Sequence, residues 1–326
     1  MKAAWYESNG SAREVLRIGD LPKPQPAAGE VLVRVHASGV NPSDVKSRAT
    51  RPLIAPKITP HSDGAGVIEA VGAGVPAERV GQRVWLWNAQ WKRANGTAAE
   101  YVALPEAQAV SLPDNTGFNE GACLGIPALT ALRALTVDGS VMGERVLVTG
   151  GAGAVGAYTI QMARLLGAAQ IITTVSSNAK AAIALELGAD HAINYKTENV
   201  AERIEALTAG AGVARVVEVD AAANVHNLPR ILAQDGLYVV YGSGRPSIPF
   251  EFAPMIMRGA GVRFFIVYEL SREARQHCCD ALNGFLKAGL LKHAVSQTFS
   301  IDDIAAAHEA VERAAMPGNV VVTLAN

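Results

Sequence analysis

Val31, Val33 and Val35 occupy every second position of Gly29–His36. Glu30, Arg34 and His36 alternate with them beside Leu32, the period-two pattern of a half-buried strand. Val67–Val71 and Arg83–Trp87 repeat this pattern over shorter runs, separated by Gly64, Gly66, Gly72, Gly74 and Gly81. Pro22, Pro24, Pro26, Pro42, Pro52, Pro56 and Pro60 interrupt the same region, so it predicts a loop-rich β module rather than helices.

From about residue 121 the pattern changes. Uniformly apolar runs at Val146–Thr149, Ile171–Val175, Ala214–Val219 and Leu237–Tyr241 alternate with helical spacing over Ala154–Leu166, Ala179–Leu187, Ala201–Leu207 and Val225–Ala233. A short strand is expected at His191–Tyr195. Strands without a polar face, alternating with helices, predict a parallel sheet covered on both sides. The last stretch predicts a helix over Ser271–Ala288. A second begins at Ser300, with Asp303 as capping-box partner, and a strand follows over Val320–Leu324. Periodicity leaves open whether this tail completes the parallel sheet or returns to the β module.

With 326 residues the chain is long enough for about two domains, and 49% hydrophobic residues place it among folded proteins. Twenty-nine basic against 30 acidic side chains leave a net charge of −1, which supports neither a nucleic-acid nor an anionic-membrane partner. The start, Met1 to Glu7, has no apolar stretch or cleavage site, so a cytoplasmic location is expected. Three cysteines, Cys123, Cys278 and Cys279, make no disulfide framework.

The sharpest local motif is Thr149–Gly156. Gly151, Gly153 and Gly156 are spaced G-x-G-x-x-G between an apolar strand and a helix, the context of a dinucleotide fingerprint. On that reading Gly151 makes the tight turn, Gly153 admits the pyrophosphate and Gly156 lets the helix pack close. Ala152, Ala154 and Val155 complete the turn, and the amides of the last two donate to the phosphate. A carboxylate about twenty residues on would hold the ribose 2′-hydroxyl of NAD. That place reads Val175-Ser176-Ser177-Asn178, with Lys180 the nearest cation, so NADPH is favoured. Ser and Asn are also ordinary helix caps, and the two readings are compatible.

Several stretches together resemble the zinc-independent, zeta-crystallin-like quinone oxidoreductases of the medium-chain dehydrogenase/reductase superfamily. They are Gly29–His36, Gly39–Asp44, Ser62–Val67, Gly125–Ala131, Leu187–Tyr195 and Ala223–Val225. The resemblance implies an α/β protein: a Rossmann doubly wound parallel sheet over 125–267, and a GroES-like β-barrel domain from 1–124 and 268–326. It implies NADPH, a quinone or enone as small-molecule partner, and a homodimer or homotetramer. Zinc members place a Cys where this chain has Asn41 and a His-Glu pair where it has Ser62-Asp63. No metal is therefore expected, and His61, lacking a Cys partner, is read as a surface or turn residue.

Residue by residue, the resemblance sets Asn41 and Thr130 beside the nicotinamide, and Lys180 and Tyr195 at the 2′-phosphate. Tyr241, Gly242 and Ser243 line the cofactor groove, and Phe265, Ile266 and Val267 cover the nicotinamide. Asn319 stands where the family has a basic phosphate contact. Asn41 is expected to bond the acceptor carbonyl and Asp44 to organise the loop around it. The only basic cluster, Lys46, Arg48, Arg51 and Lys57, is read as a solvated loop, and Trp85, Trp87 and Trp91 as a stacking platform or as packing. The expected reaction is hydride or electron transfer from NADPH to a quinone. The alternatives are C=C reduction of an enone or enoyl substrate, and a crystallin-like nucleotide-binding protein with little turnover.

Overall fold

In the computed structural model, which describes residues 1–313 and 317–324, Lys2–Trp5 (β1) and Arg17–Asp20 (β2) pair as a short antiparallel ribbon. The alternating valines form the long strand Glu30–Val40 (β3), followed by Asp63–Val71 (β4), Arg83–Leu86 (β5), Tyr101–Pro105 (β6) and Ala109–Ser111 (β7). Leu32 is buried along with Val31, Val33 and Val35, because both faces of β3 are covered.

Arg145–Val148 (β8), Gln170–Val175 (β9), His191–Asn194 (β10), Val213–Glu218 (β11), Leu232–Val240 (β12) and Gly261–Phe264 (β13) form one six-stranded sheet. Every pairing in it is parallel, in the order β10-β9-β8-β11-β12-β13. This is the doubly wound Rossmann order, and its strand order reverses beside β8. The expected helix over Val225–Ala233 does not form as one piece. Pro229 cannot donate to a continuous helix, and the segment breaks into turns at Ala221–Asn224, Val225–Asn227 and Leu228–Ile231. β12 begins at once, at Leu232, and its register against β11 shifts around Asp235, which takes the left-handed φ of 55°.

Val295–Ser300 (β14) and Asn319–Thr323 (β15) settle the fate of the tail. β15 pairs antiparallel with β3, giving a seven-stranded sheet of order β14-β15-β3-β4-β5-β7, with β6 also on β3. The chain thus divides into two units, Met1–Pro127 with Cys279–Asn326, and Ala128–Cys278. The second limit falls within the helix Arg272–Lys287 rather than at the expected 267/268. One apolar core joins Val31, Val33, Ile58, Ile68, Leu86, Leu104, Ile304 and Val322; the other joins Leu147, Ile172, Ile193, Val216, Leu232 and Val240. Each such side chain contributes about 1.5–3 kcal/mol when removed from water.

One reading is corrected here and one open alternative is decided. Arg48 is not part of a solvated loop. It is 1% exposed on the helix Pro42–Thr50, donating to the Gly10 carbonyl and to the Glu312 carboxylate. Trp85 is fully buried, with its indole N–H donated to Asn283 Oδ1 at 3.1 Å, so it packs rather than stacks. No helix among the described residues is long and apolar enough to cross a membrane.

Candidate active site

The parallel-sheet unit presents its glycine turn at the C-terminal end of β8, beside the reversal of strand order. Gly150, not Gly151, takes the left-handed φ, at 70°. Its amide donates to Thr174 Oγ1 at 3.2 Å, and the Gly151 amide to the Thr174 carbonyl at 3.1 Å. Gly151 is required by packing instead, since a Cβ there would lie 2.0 Å from Thr173 Oγ1. Gly153 caps the helix Ala154–Leu165 without any side-chain capping bond, leaving the first amides of that helix, those of Ala154 and Val155, to an incoming anion. A Cβ on Gly153 would meet only the Gly150 carbonyl, at 3.2 Å. One on Gly156 would meet the same oxygen at 2.3 Å and Gly151 Cα at 2.7 Å. The cradle therefore fits a pyrophosphate: bare amides, a helix dipole and an exposed glycine at the point of approach.

Sequence reasoning missed the groups that brace this turn. Thr149 Oγ1 donates to Glu218 Oε1 at 3.0 Å, and the same oxygen accepts from the Asp220 amide at 2.6 Å and Asn224 Nδ2 at 2.9 Å. Burial pushes the Glu218 carboxyl upward against these donors. The signal was available: Glu218 is the one acid in the apolar strand β11. The Asp220 carboxylate accepts from the Gly244 amide at 2.7 Å, fixing the loop after β12 that carries Tyr241, Gly242 and Ser243. Gly242 lies so close to Val219 that a Cβ would sit 2.2 Å from its carbonyl oxygen.

At the end of β9 the structure brings Ser176, Ser177, Lys180 and Tyr195 to one edge, since Val175 and Asn194 are register partners. Ser177 caps the helix Asn178–Glu186, its hydroxyl oxygen accepting from the Lys180 amide at 3.3 Å. Tyr195 is 52% exposed. Thr130 is buried on the helix Leu129–Thr136. Along 265–267, Phe265 donates its amide to the Val240 carbonyl at 3.2 Å, Ile266 is exposed, and buried Val267 accepts from Arg275 through its carbonyl.

The other unit holds a second polar cluster. Asn41 caps Pro42–Thr50, and its backbone N–H donates to Asp44 Oδ2 at 2.8 Å. Asn41 Nδ2 donates to Asp63 Oδ2 at 2.9 Å, an oxygen that also accepts from the Ile126 amide at 2.9 Å. The Asn41 amide thus donates to Asp63, and its side chain also bonds the Asp44 carboxyl, so the two carboxylates hold the amide between them. Asp44 is buried, and desolvation pushes its carboxyl up to about 7 despite the Asn41 donors. Asn319 sits at the start of β15, its side-chain amide donated to the Ala294 carbonyl at 3.2 Å and its own carbonyl accepting from Ser296. His61 is not at the surface: it is fully buried, bonded to Ser38 and His308.

Two family models match the chain, an alcohol dehydrogenase GroES-like domain over residues 27–114 and a zinc-binding dehydrogenase over 154–283. A quinone oxidoreductase of Homo sapiens is 32% identical over 302 residues, covering 91% of this chain and 89% of the relative. The structure of Escherichia coli quinone oxidoreductase complexed with NADPH superposes with a TM-score of 0.87 at 26% identity, over 99% of this chain and all of the other. An NAD-dependent alcohol dehydrogenase superposes with a TM-score of 0.90 at 29% identity, over the whole of both chains. The second model is named for zinc, and the donors here do not fit that ion. Among the described residues no three His, Cys, Asp or Glu side chains lie together as a metal site, and Asn41 and Asp63 are hydrogen-bonded to each other.

Proposed function

Because the chain belongs to the zeta-crystallin-like quinone oxidoreductase family of the medium-chain dehydrogenase/reductase superfamily, we propose that this oxidoreductase reduces quinones with NADPH and without zinc. Bound NADPH supplies a hydride from its nicotinamide C4. The protein holds and orients. The amides of Ala154 and Val155 and the approach over Gly153 take the pyrophosphate, with Ala152 and Gly156 shaping the turn. Ser177 spends its oxygen lone pair on the Lys180 amide but keeps its O–H, which donates with that of Ser176 to the 2′-phosphate. The Lys180 ammonium and the Tyr195 hydroxyl complete that anion site.

Thr130 and the 265–267 segment set the nicotinamide. The Asn41 side-chain amide donates to the acceptor oxygen as it gains charge, exchanging its bond to Asp44 for one to the substrate, with Asp63 fixing the amide and the backbone bond to Asp44 fixing the loop. The quinone gains a hydride and becomes a hydroquinone monoanion, which takes its proton from water. The observation that carries this reading is the Asn41–Asp63 pair, a fixed hydrogen-bond donor standing where, among the described residues, no three metal-ligating side chains lie together. Such a donor suits an acceptor that needs neither a Lewis acid nor a proton relay.

The chain also pairs with a second copy through β13. This is an edge strand of the parallel sheet, with Phe264 exposed, and the preceding helix Phe252–Met257 exposes Phe252, Ile256 and Met257. The function is tested by NADPH oxidation with a simple quinone, an enone and acetaldehyde, before and after dialysis against a strong chelator. Quinone turnover that survives the chelator, with none on acetaldehyde, is expected. Activity on the enone alone would move the function to C=C reduction, and a rate that tracks zinc content would end the metal-free reading.

A further inference from the structure

His61 departs from its surroundings in two ways: its φ is 76°, a left-handed conformation that costs a side-chain-bearing residue, and its imidazole is fully buried. Both ring nitrogens are engaged, Nδ1 with Ser38 Oγ at 2.8 Å and Nε2 with His308 Nε2 at 2.9 Å. The two ring centroids are 5.1 Å apart with 26° between planes. That separation is close to the N···N distance plus the two ring radii. The nitrogens therefore lie between the rings, as in a linear N–H···N bond rather than a face-to-face stack.

From Ser38 the contacts continue, Oγ to Thr97 Oγ1 at 2.7 Å, and Thr97 Oγ1 to the Asp63 carbonyl at 2.5 Å. The direction of every bond follows from this last one. A carbonyl only accepts, so Thr97 donates to Asp63. Its hydrogen is then spent, and Ser38 must donate to Thr97. Ser38 in turn accepts from His61 Nδ1–H, which leaves His61 Nε2 as a lone pair accepting from His308 Nε2–H. One carbonyl thus fixes two hydroxyl rotors and two imidazole tautomers.

The chain ends on Asp63, the residue whose carboxylate holds the Asn41 amide and the Ile126 N–H. A carbonyl terminus cannot pass a proton on, so the chain holds geometry and is no relay. We propose that His61 and His308 form a positioning element for turnover. Through Ser38 and Thr97 they fix the start of β4, and with it the Asp63 carboxylate that orients Asn41. The proposal rests on the reading of Asn41 as donor to the acceptor oxygen.

Thr97→Val keeps the methyl that packs against Gly64 and deletes the hydroxyl, whereas Thr97→Ser keeps the hydroxyl. The valine variant should lose about tenfold in kcat with the Kd for NADPH unchanged, and the serine variant should restore kcat. In an Asn41→Ala background Thr97→Val should cost nothing further. His61→Gly, which accepts the left-handed backbone, serves as a second break of the chain and should also lower kcat. Imidazole 15N NMR should show His61 protonated at Nδ1 and His308 at Nε2. Wild-type turnover of Asn41→Ala would end the Asn41 reading and the positioning role with it. Loss in Asn41→Ala with none in Thr97→Val, or a further full loss in the double variant, would end the positioning role alone. A His61 Nε2–H tautomer would overturn the hydrogen-bond chain itself.

Discussion

Gly153 and Gly156 share one motif but meet different surroundings, so alanine at each should fail in a different assay. At Gly156 the new methyl would lie 2.3 Å from the Gly150 oxygen and 2.7 Å from Gly151 Cα. Both are backbone atoms of the turn and cannot rotate away, so the helix Ala154–Leu165 must shift. Overpacking of this kind costs about 1–3 kcal/mol, and backbone neighbours place Gly156→Ala toward the upper end. At about 2–4 °C per kcal/mol for a unit of this size, Tm should fall by roughly 5–10 °C. At Gly153 the backbone angles, φ −78° and ψ 173°, suit any residue, and the nearest neighbour is a single oxygen at 3.2 Å. Reduced freedom of the unfolded chain offsets that contact by about 0.4–1 kcal/mol, so Tm should barely move. The methyl would instead stand where the pyrophosphate approaches the bare amides. Gly153→Ala should weaken NADPH at least about tenfold, or about 1.4 kcal/mol. Thermal unfolding of the free protein and fluorescence titration with NADPH separate the two effects. An unchanged Kd in Gly153→Ala, or an unchanged Tm in Gly156→Ala, would refute the assignment of roles.

Lys180→Ala should weaken NADPH about tenfold and leave NADH nearly unchanged in the same titration, because the proposed partner of the ammonium, the 2′-phosphate, is absent from NADH. Stability should depend on pH through two buried groups of opposite sign. Burial pushes Asp44, which faces Asn41, Ser62, Arg51 and Tyr6, from 3.8 up to about 7, so its contribution is full below 3.8 and is lost as pH rises through 7. Burial pushes His61 from 6.5 down to about 3, and its partner His308 also faces Arg48, so theirs is full above 6.5 and is lost as pH falls. Urea unfolding should therefore show Asp44→Asn gaining on the wild type toward about pH 8, and His61→Gly gaining toward about pH 5; parallel pH profiles would contradict both. Phe264→Glu on β13 should shift the protein toward monomer in light scattering, and an unchanged mass would remove that edge from the interface.

Much of this was legible because the relevant signals are local. The alternating valines of β3, the apolar strands of the parallel sheet and the glycine spacing each reflect a period or a steric need carried by neighbouring residues. What escaped depends on partners far along the chain. Arg48 reads as one of four surface cations until Glu312 and the Gly10 carbonyl take it inside. Glu218 has no motif of its own and gains its place from Thr149, nearly seventy residues earlier. The tail could not be assigned by periodicity, because the pairing of β15 with β3 joins opposite ends of the chain. Gly150 and Gly151 exchanged roles for a subtler reason. Spacing identifies the set of glycines, but only the position of Thr173 shows which one yields to packing and which to backbone twist.

His61 carries the same lesson to the energetics of the second polar cluster. A left-handed residue with a side chain costs about 1–3 kcal/mol, and glycine at that position would avoid the cost. The two hydrogen bonds of its imidazole return about 0.5–1.5 kcal/mol each, so stability alone gives His61 little or no advantage. What the imidazole adds is placement. The Asp63 carbonyl already sets the direction of the Thr97 and Ser38 hydroxyls, and the His61 Nδ1–H gives Ser38 Oγ the one donor that this direction leaves it to accept. With that donor in place both hydroxyls are held at each end, and the chain ends on the Asp63 carbonyl. A histidine that is close to neutral in stability yet decisive in placement is expected where geometry at Asn41 sets the rate. It is not expected in a core selected for burial alone.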